Sequence, residues 1–170
     1  MIQPLVGILI GSDSDLPIMK EAGLILDQFQ VPYEVGITSA HRSPEKAAQY
    51  ARQAGERGIK VLIAGAGAAA HLAGTVAAHT TLPVIGVPLS SSALHGLDAL
   101  LSTAQMPSGV PVATMALDKA GARNAALLAA QILALNDPKL GRRLMQHKER
   151  MAEEIEEKDR QLRTKKGRKA

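Results

Sequence analysis

The sequence contains no cysteine and no tryptophan. Without cysteine there can be no disulfide, no thiolate metal site and no cysteine nucleophile. Aromatic residues are nearly missing as well: Phe29, Tyr33 and Tyr50 are the whole set. The core must therefore be built from Ala, Val, Ile, Leu and Met, which suits close packing of helices on a sheet. So few aromatic rings also argue against a platform for stacking the bases of single-stranded nucleic acid. No apolar stretch approaches the roughly 18 residues of a membrane span. The first apolar run, Leu5 to Ile10, is too short for a signal peptide and lacks a basic lead-in, so the cytoplasm is the expected location. The Gly-Lys-Ser/Thr ending of a nucleoside-triphosphate loop is absent too.

What is present is one domain's worth of chain, 170 residues with a formal net charge of +4. The charge is unevenly placed. Before Lys139 there are 8 Lys and Arg against 10 Asp and Glu, so the whole excess lies in the tail. A basic run of this kind reads first as a solvated helix with a frayed end, and only second as an arm for nucleic acid.

Strand and helix patterns alternate along the chain. Short apolar runs at Leu5 to Ile10, Tyr33 to Thr38, Val61 to Ala64, Val84 to Val87 and Val112 to Ala116 predict strands. Helical spacing follows at Leu16 to Phe29, from Ser43-Pro44 to about Arg57, at Leu72 to Ala78, near Leu97 to Leu101, and at Ala120 to Leu135. Ser43, Pro44 and Lys46 read as N-cap, N1 and N3. Asn136-Asp137-Pro138 breaks the pattern before a last helix from Lys139 to about Arg163. The expected organisation is an α/β catalytic domain over 1–138, a C-terminal helix over 139–164, and a disordered basic tail over 165–170. Strands that end in Gly/Ser turns and alternate with helices imply a doubly wound parallel sheet covered on both faces. Such a sheet binds ligands at the carboxyl ends of its strands. Ser12, Asp15, Ser39, His41, Arg42 and His71 all fall there.

Three turns carry the chemistry. Gly11-Ser-Asp-Ser-Asp15 offers backbone N–H groups and hydroxyls to an anion at a helix start; Asp15 can accept from ribose hydroxyls but repels a phosphate. The same residues also suit a plain helix cap. In Ser39-Ala-His-Arg42, His41 can exchange protons near neutral pH and Arg42 is a fixed cation for phosphate or carboxylate. Gly65, Gly67 and Ala68-Ala69-Ala70 let a flat ligand lie against the backbone, with His71 as a further polar contact or a capping residue. This turn only partly echoes a dinucleotide fingerprint and no acidic residue follows about 20 positions on, so no nicotinamide cofactor is expected. His79, His95 and His147 lack comparable settings and read as structural or exposed. No carboxylate joins His71 and His79 at ligand spacing, so no metal site is expected.

Taken together, Gly11-Ser-Asp-Ser-Asp15, Ser39-Ala-His-Arg-Ser-Pro44, Gly65-Ala-Gly-Ala-Ala-Ala-His71, Gln105-Met-Pro-Ser-Gly109 and Lys119-Ala-Gly-Ala-Arg-Asn124 occur in order and spacing. In this the chain resembles the phosphoribosylaminoimidazole carboxylase catalytic-subunit family from about Val6 to Leu135. The resemblance implies a flavodoxin-like three-layer α/β fold with an added C-terminal helix. It implies an enzyme of de novo purine biosynthesis that uses no cofactor. One branch of the family rearranges N5-carboxyaminoimidazole ribonucleotide into the C4-carboxylated isomer; the other carboxylates aminoimidazole ribonucleotide directly with CO2. Arg42, Pro44 and His71 resemble the mutase branch. A related carboxylase-like domain acting on a pyridine nucleotide would use a cysteine, which is missing here. A non-catalytic nucleotide sensor would need the anchors but not His41.

On the same resemblance His41 is the catalytic acid and base. Ser12, Asp15, Ser39, Arg42, Gly67 and His71 bind the ribonucleotide, with Arg42 toward phosphate and Asp15 toward ribose. A homo-octamer is implied, with Gln105 to Gly109 reaching a neighbouring subunit's site and the last helix packing on another subunit. Neither a nucleic acid nor a membrane is an expected partner. Ala68, Ala73 and Thr75 depart from the family's usual loop. A methyl at position 68 is expected to exclude a positive φ there.

Overall fold

The computed structural model describes residues 3–167. These divide into two compact units, one up to Leu133 and one from Ala134.

The first unit is a five-stranded parallel sheet in the order β2-β1-β3-β4-β5. Its strands are β1 (Val6–Ile10), β2 (Tyr33–Ile37), β3 (Val61–Gly67), β4 (Val84–Leu89) and β5 (Ala113–Thr114). This is the flavodoxin-like order, whose switch point lies between β1 and β3. β1 is buried along its whole length. Side chains alternate between the two faces, and each face has its own helices. On one side Leu9, Leu62 and Ala64 pack with Ala47, Ala51 and Ala54 of α2 (Pro44–Ala54) and with Leu72, Ala73 and Val76 of α3 (Leu72–Ala77). On the other side Gly65 lies under Met19 of α1 (Leu16–Gln28), and Val87 lies under Gly121 of α5 (Asp118–Ala134). Glu21 of α1 ties these last two helices together, its Oε2 accepting from Arg123 Nε at 2.9 Å and Nη2 at 2.8 Å.

The shortage of aromatics has its physical counterpart here. α5 presents Gly121, Ala122, Ala125, Ala126, Ala129 and Ala130 to the core. A Cβ on Gly121 would stand 1.7 Å from the Ala116 carbonyl, so the helix start and the chain entering it nearly touch. Small residues allow that approach; large ones would force the layers apart.

Several elements differ from their sequence-based bounds: α2 stops at Ala54 rather than about Arg57, β4 runs to Leu89 rather than Val87, α4 (Leu97–Ala104) ends at Ala104 rather than Leu101, and α6 spans Pro138–Gly167. β3 runs on to Gly67 rather than stopping at Ala64, because Gly65, Ala66 and Gly67 pair with Val87, Pro88 and Leu89. α5 begins at Asp118, two residues early, and β5 keeps only two residues, paired to Ile85 and Gly86. Ser43 does stand at the N-cap of α2, but its hydroxyl does not cap the helix. It accepts instead from the Ser39 amide at 2.9 Å.

The second unit is dominated by α6 (Pro138–Gly167). Asp137 caps it, its Oδ1 accepting from the amides of Lys139 at 2.9 Å and Leu140 at 3.1 Å. Arg160–Glu157 and Arg163–Asp159 pairs run along its exposed surface. Of the tail expected over 165–170, residues 168–170 lie outside the described residues. Among the described residues no helix is long and apolar enough to cross a membrane.

Candidate functional site

Turns at the carboxyl ends of β1, β2, β3 and β4 enclose a cleft of about 320 Å³. The residue expected to be catalytic, His41, and the six expected to bind the ribonucleotide, Ser12, Asp15, Ser39, Arg42, Gly67 and His71, all line it, whereas Gly65, Ala68 and Ala70 do not. Ser91, from the turn after β4, lines it too and was missed by the sequence reasoning.

The β1 turn is built by its own side chains. Ser12 Oγ accepts from the Ser14 amide, and Asp15 Oδ2 accepts from the Ser12 amide at 3.1 Å, a reciprocal capping box around a short 3-10 turn at Asp13–Asp15. The cap reading of these residues is thus right, and it coexists with their place on the cleft wall. Asp15 is buried, and that burial pushes its carboxyl above the usual aspartate value. Asp13 is exposed. The Ser12 hydroxyl donates to it at 2.9 Å and holds its carboxyl below the usual value.

The β2 turn is folded around Ser39. Its Oγ accepts from the amides of His41 at 3.3 Å and Arg42 at 3.1 Å. With the lone pairs engaged, the hydroxyl proton is the group left to face a ligand. Arg42 reaches over to β1's turn, where Nη2 donates to the Gly11 carbonyl at 3.2 Å. One cation therefore bridges the two turns that would hold an anion.

The β3 turn brings in His71. It stands at the N-cap of α3 but makes no side-chain cap. Its Nδ1 lies 2.7 Å from His41 Nε2, with the rings edge to face at 4.9 Å between centroids. A contact this short needs a proton on one nitrogen and a lone pair on the other. The pair is thus a hydrogen-bonded unit open to solvent at the cleft mouth. Before it, Ala68 sits at φ +51°, in the left-handed region. The expectation that a methyl would exclude this conformation is overturned: Ala68 adopts it, in a region that disfavours a residue with a Cβ. Gly67 is required for a different reason. A Cβ there would stand 1.8 Å from Ser91 Oγ.

His79 and His95 are placed as expected. His79 Nδ1 lies 2.8 Å from the Thr75 carbonyl, and His95 is exposed in a turn. Gln105 to Gly109 does not line the cleft, and Met106 lies against Gly74 of α3. Among the described residues no group of three or more His, Asp or Glu could hold a metal ion.

The comparisons agree with one another. The AIR carboxylase family profile matches residues 5–154. The N5-carboxyaminoimidazole ribonucleotide mutase of Pyrococcus horikoshii is 59% identical over 160 residues, 94% of this chain and 89% of that protein. The Bacillus subtilis protein of the same name is 58% identical over 161 residues, 95% and 99% of the two chains. The crystal structure of Treponema denticola PurE superposes with a TM-score of 0.85 at 32% identity, over 94% of this chain and 98% of that one. A parallel sheet in this order, a cleft at its switch point and full-length relatives at more than half identity lead to one conclusion: the chain belongs to the AIR carboxylase family.

Proposed function

We propose that this chain is an N5-carboxyaminoimidazole ribonucleotide mutase of purine biosynthesis, working in the cytoplasm as a homo-octamer. The observation that carries the reading is the His41–His71 pair, set 2.7 Å apart at the mouth of a cleft that Ser12, Asp15, Ser39 and Arg42 also line. Arg42 suits the phosphate, and buried Asp15 suits a ribose hydroxyl.

The chemistry balances with one acid–base group. The carbamate N–C bond breaks, CO2 leaves, and the electron pair stays on the exocyclic nitrogen, which takes a proton from His41. C4 then attacks the trapped CO2, and the C4 proton returns to His41. The cleft's part is to keep CO2 beside C4, an effect of proximity rather than of a strong reagent. His71 orients the His41 ring. The cleft walls are mostly backbone and small side chains, so the flat imidazole can approach closely.

Conversion of N5-carboxyaminoimidazole ribonucleotide without bicarbonate or ATP tests the reading. Labelled CO2 in the medium should enter the product poorly. If only aminoimidazole ribonucleotide plus CO2 is converted, the chain is a direct carboxylase. For assembly, exposed Leu94, Leu97 and Leu101 lie just before Gln105 to Gly109, and α6 exposes Met151 and Ile155. Both segments suit contacts between subunits. A single octameric mass in solution is the expected result, and a monomeric mass would end that part of the proposal.

A further inference from the structure

The turn after β4 holds three consecutive serines, and two of them are tied down. Ser90 donates its amide to Asp118 Oδ1 at 2.8 Å and its hydroxyl to Asp118 Oδ2 at 2.5 Å. Ser92 donates its hydroxyl to Asp98 Oδ1 at 2.9 Å. Ser91 stands between them with its hydroxyl free of protein partners among the described residues, and it faces the cleft. Gly67 has no side chain to displace it.

Asp118 is unusual in its backbone as well. It opens α5 at φ +56°, a conformation that disfavours any residue with a Cβ. Glycine would fit that backbone without strain. Both of its carboxylate oxygens are used on one residue, 28 positions away, in the turn that presents Ser91. The strained position is therefore the one that fixes the far wall of the cleft.

Strand order says which end of a ligand meets that wall. The cleft runs from the β2 turn across β1 and β3 to the β4 turn, three strand spacings or about 14 Å. Arg42 is at the β2 end, with Ser12 and Asp15 beside it. A ribonucleotide whose phosphate and ribose lie there extends its base toward Gly67 and Ser91. That base offers a hydroxyl two acceptors, the ring N3 and the carboxylate, and the charged carboxylate makes the stronger hydrogen bond.

We propose that Ser91 donates a hydrogen bond to the carboxylate that the imidazole carries at C4 in the product, and that Asp118 is the positioning residue that holds Ser91 there. This rests on the mutase reading above. It adds a carboxylate-recognising residue from β4, a strand that contributed nothing to the site deduced from the sequence.

The test is calorimetric titration of the intact protein with two ribonucleotides, 4-carboxy-5-aminoimidazole ribonucleotide and aminoimidazole ribonucleotide, which lacks the carboxylate. Ser91→Ala should weaken the first by about 10- to 100-fold, the range for a hydrogen bond to a charged group, and the second by less than about threefold. Asp118→Gly relieves the positive φ, which offsets the loss of its two bonds to Ser90, so the variant should remain folded with a Tm within a few degrees of wild type, yet it should reproduce the same selective loss. Asp118→Asn keeps an acceptor for the Ser90 amide and should recover part of the affinity. The double variant Ser91→Ala/Asp118→Gly should bind no worse than Ser91→Ala alone, because the two act through one contact. If Ser91→Ala binds both ligands as wild type does, or loses both by the same factor, the carboxylate contact is wrong. Wild-type affinity in Asp118→Gly would remove Asp118 from the scheme. A wild-type protein that binds neither ribonucleotide would overturn the mutase reading, and this inference with it.

Discussion

Replacing His41 with Asn separates a chemical role from a structural one. The substitution removes the ring whose Nε2 meets His71 Nδ1 at 2.7 Å, and leaves a shorter amide in its place. Both rings are exposed, so the lost hydrogen bond belongs at the low end of the usual net value of about 0.5–1.5 kcal/mol. For a chain of this size that lowers Tm by less than about 4 °C. The anchors Ser12, Asp15 and Arg42 are untouched, so ribonucleotide affinity should change little. Turnover should fall by about 10²- to 10⁴-fold, the usual worth of a general acid–base group. As an activation free energy that is about 2.7–5.4 kcal/mol, several times the stability cost. His71→Asn should slow turnover less, because it disturbs only the orientation of His41. The assay is kcat at saturating N5-carboxyaminoimidazole ribonucleotide, with a thermal melt and a ligand titration on each variant. If His41 only braces its turn, affinity and Tm will fall along with rate. A stable His41→Asn protein that binds normally and turns over near the wild-type rate would refute the proposed role.

Arg42→Ala should weaken ribonucleotide binding by about 1.5–3 kcal/mol in calorimetry, and unchanged affinity would remove Arg42 from the phosphate site. Asp15 gives a pH-dependent case. Burial raises its carboxyl value in the folded state, so the stability it contributes is present below the unfolded value of about 3.9 and is lost as pH rises through the folded value. Asp15→Asn should therefore raise Tm at pH 7, with the gain shrinking toward pH 4 while ribonucleotide affinity falls. A gain of equal size at both pH values would rule out this cause. Ala68→Gly should relieve about 1–2 kcal/mol of left-handed strain, offset by about 0.4–1 kcal/mol of unfolded-state entropy. Calorimetric Tm should rise by up to about 4 °C, and a fall would mean that the turn carries no strain at Ala68.

Much of this was legible in the sequence because it is local. Alternating apolar runs marked the strands, and polar residues after each run marked the turns that meet at the switch point. What escaped depends on residues far apart in the chain. Gly65, Ala66 and Gly67 look like a loop because glycine favours strands poorly, and only pairing with β4 makes them a strand. Ser43 carries every local sign of a helix cap, yet its hydroxyl is drawn to Ser39. Ser90-Ser91-Ser92 reads as a polar connection until Asp118 is seen to hold it. Ala68 shows the opposite failure: a sound local rule about positive φ was overridden by the turn that the rest of the site requires.

The scarcity of aromatic side chains also decides what light can report about this molecule. Tyr33 lies on Gly23 of α1 and Tyr50 on Gly7 of β1, each with its hydroxyl within 2.6 Å of where a Cβ would be. Both rings therefore sit on the β2 side of the sheet, and none of the three aromatic rings lines the cleft. Near-ultraviolet absorbance and tyrosine emission will follow the opening of that edge, and will be nearly blind to β4, β5 and α5. A melt followed by tyrosine and one followed by backbone circular dichroism should coincide only if the whole sheet unfolds as one unit. For the same reason, a single tryptophan introduced near the Ser91 turn would give an optical signal of ligand binding against an almost dark background.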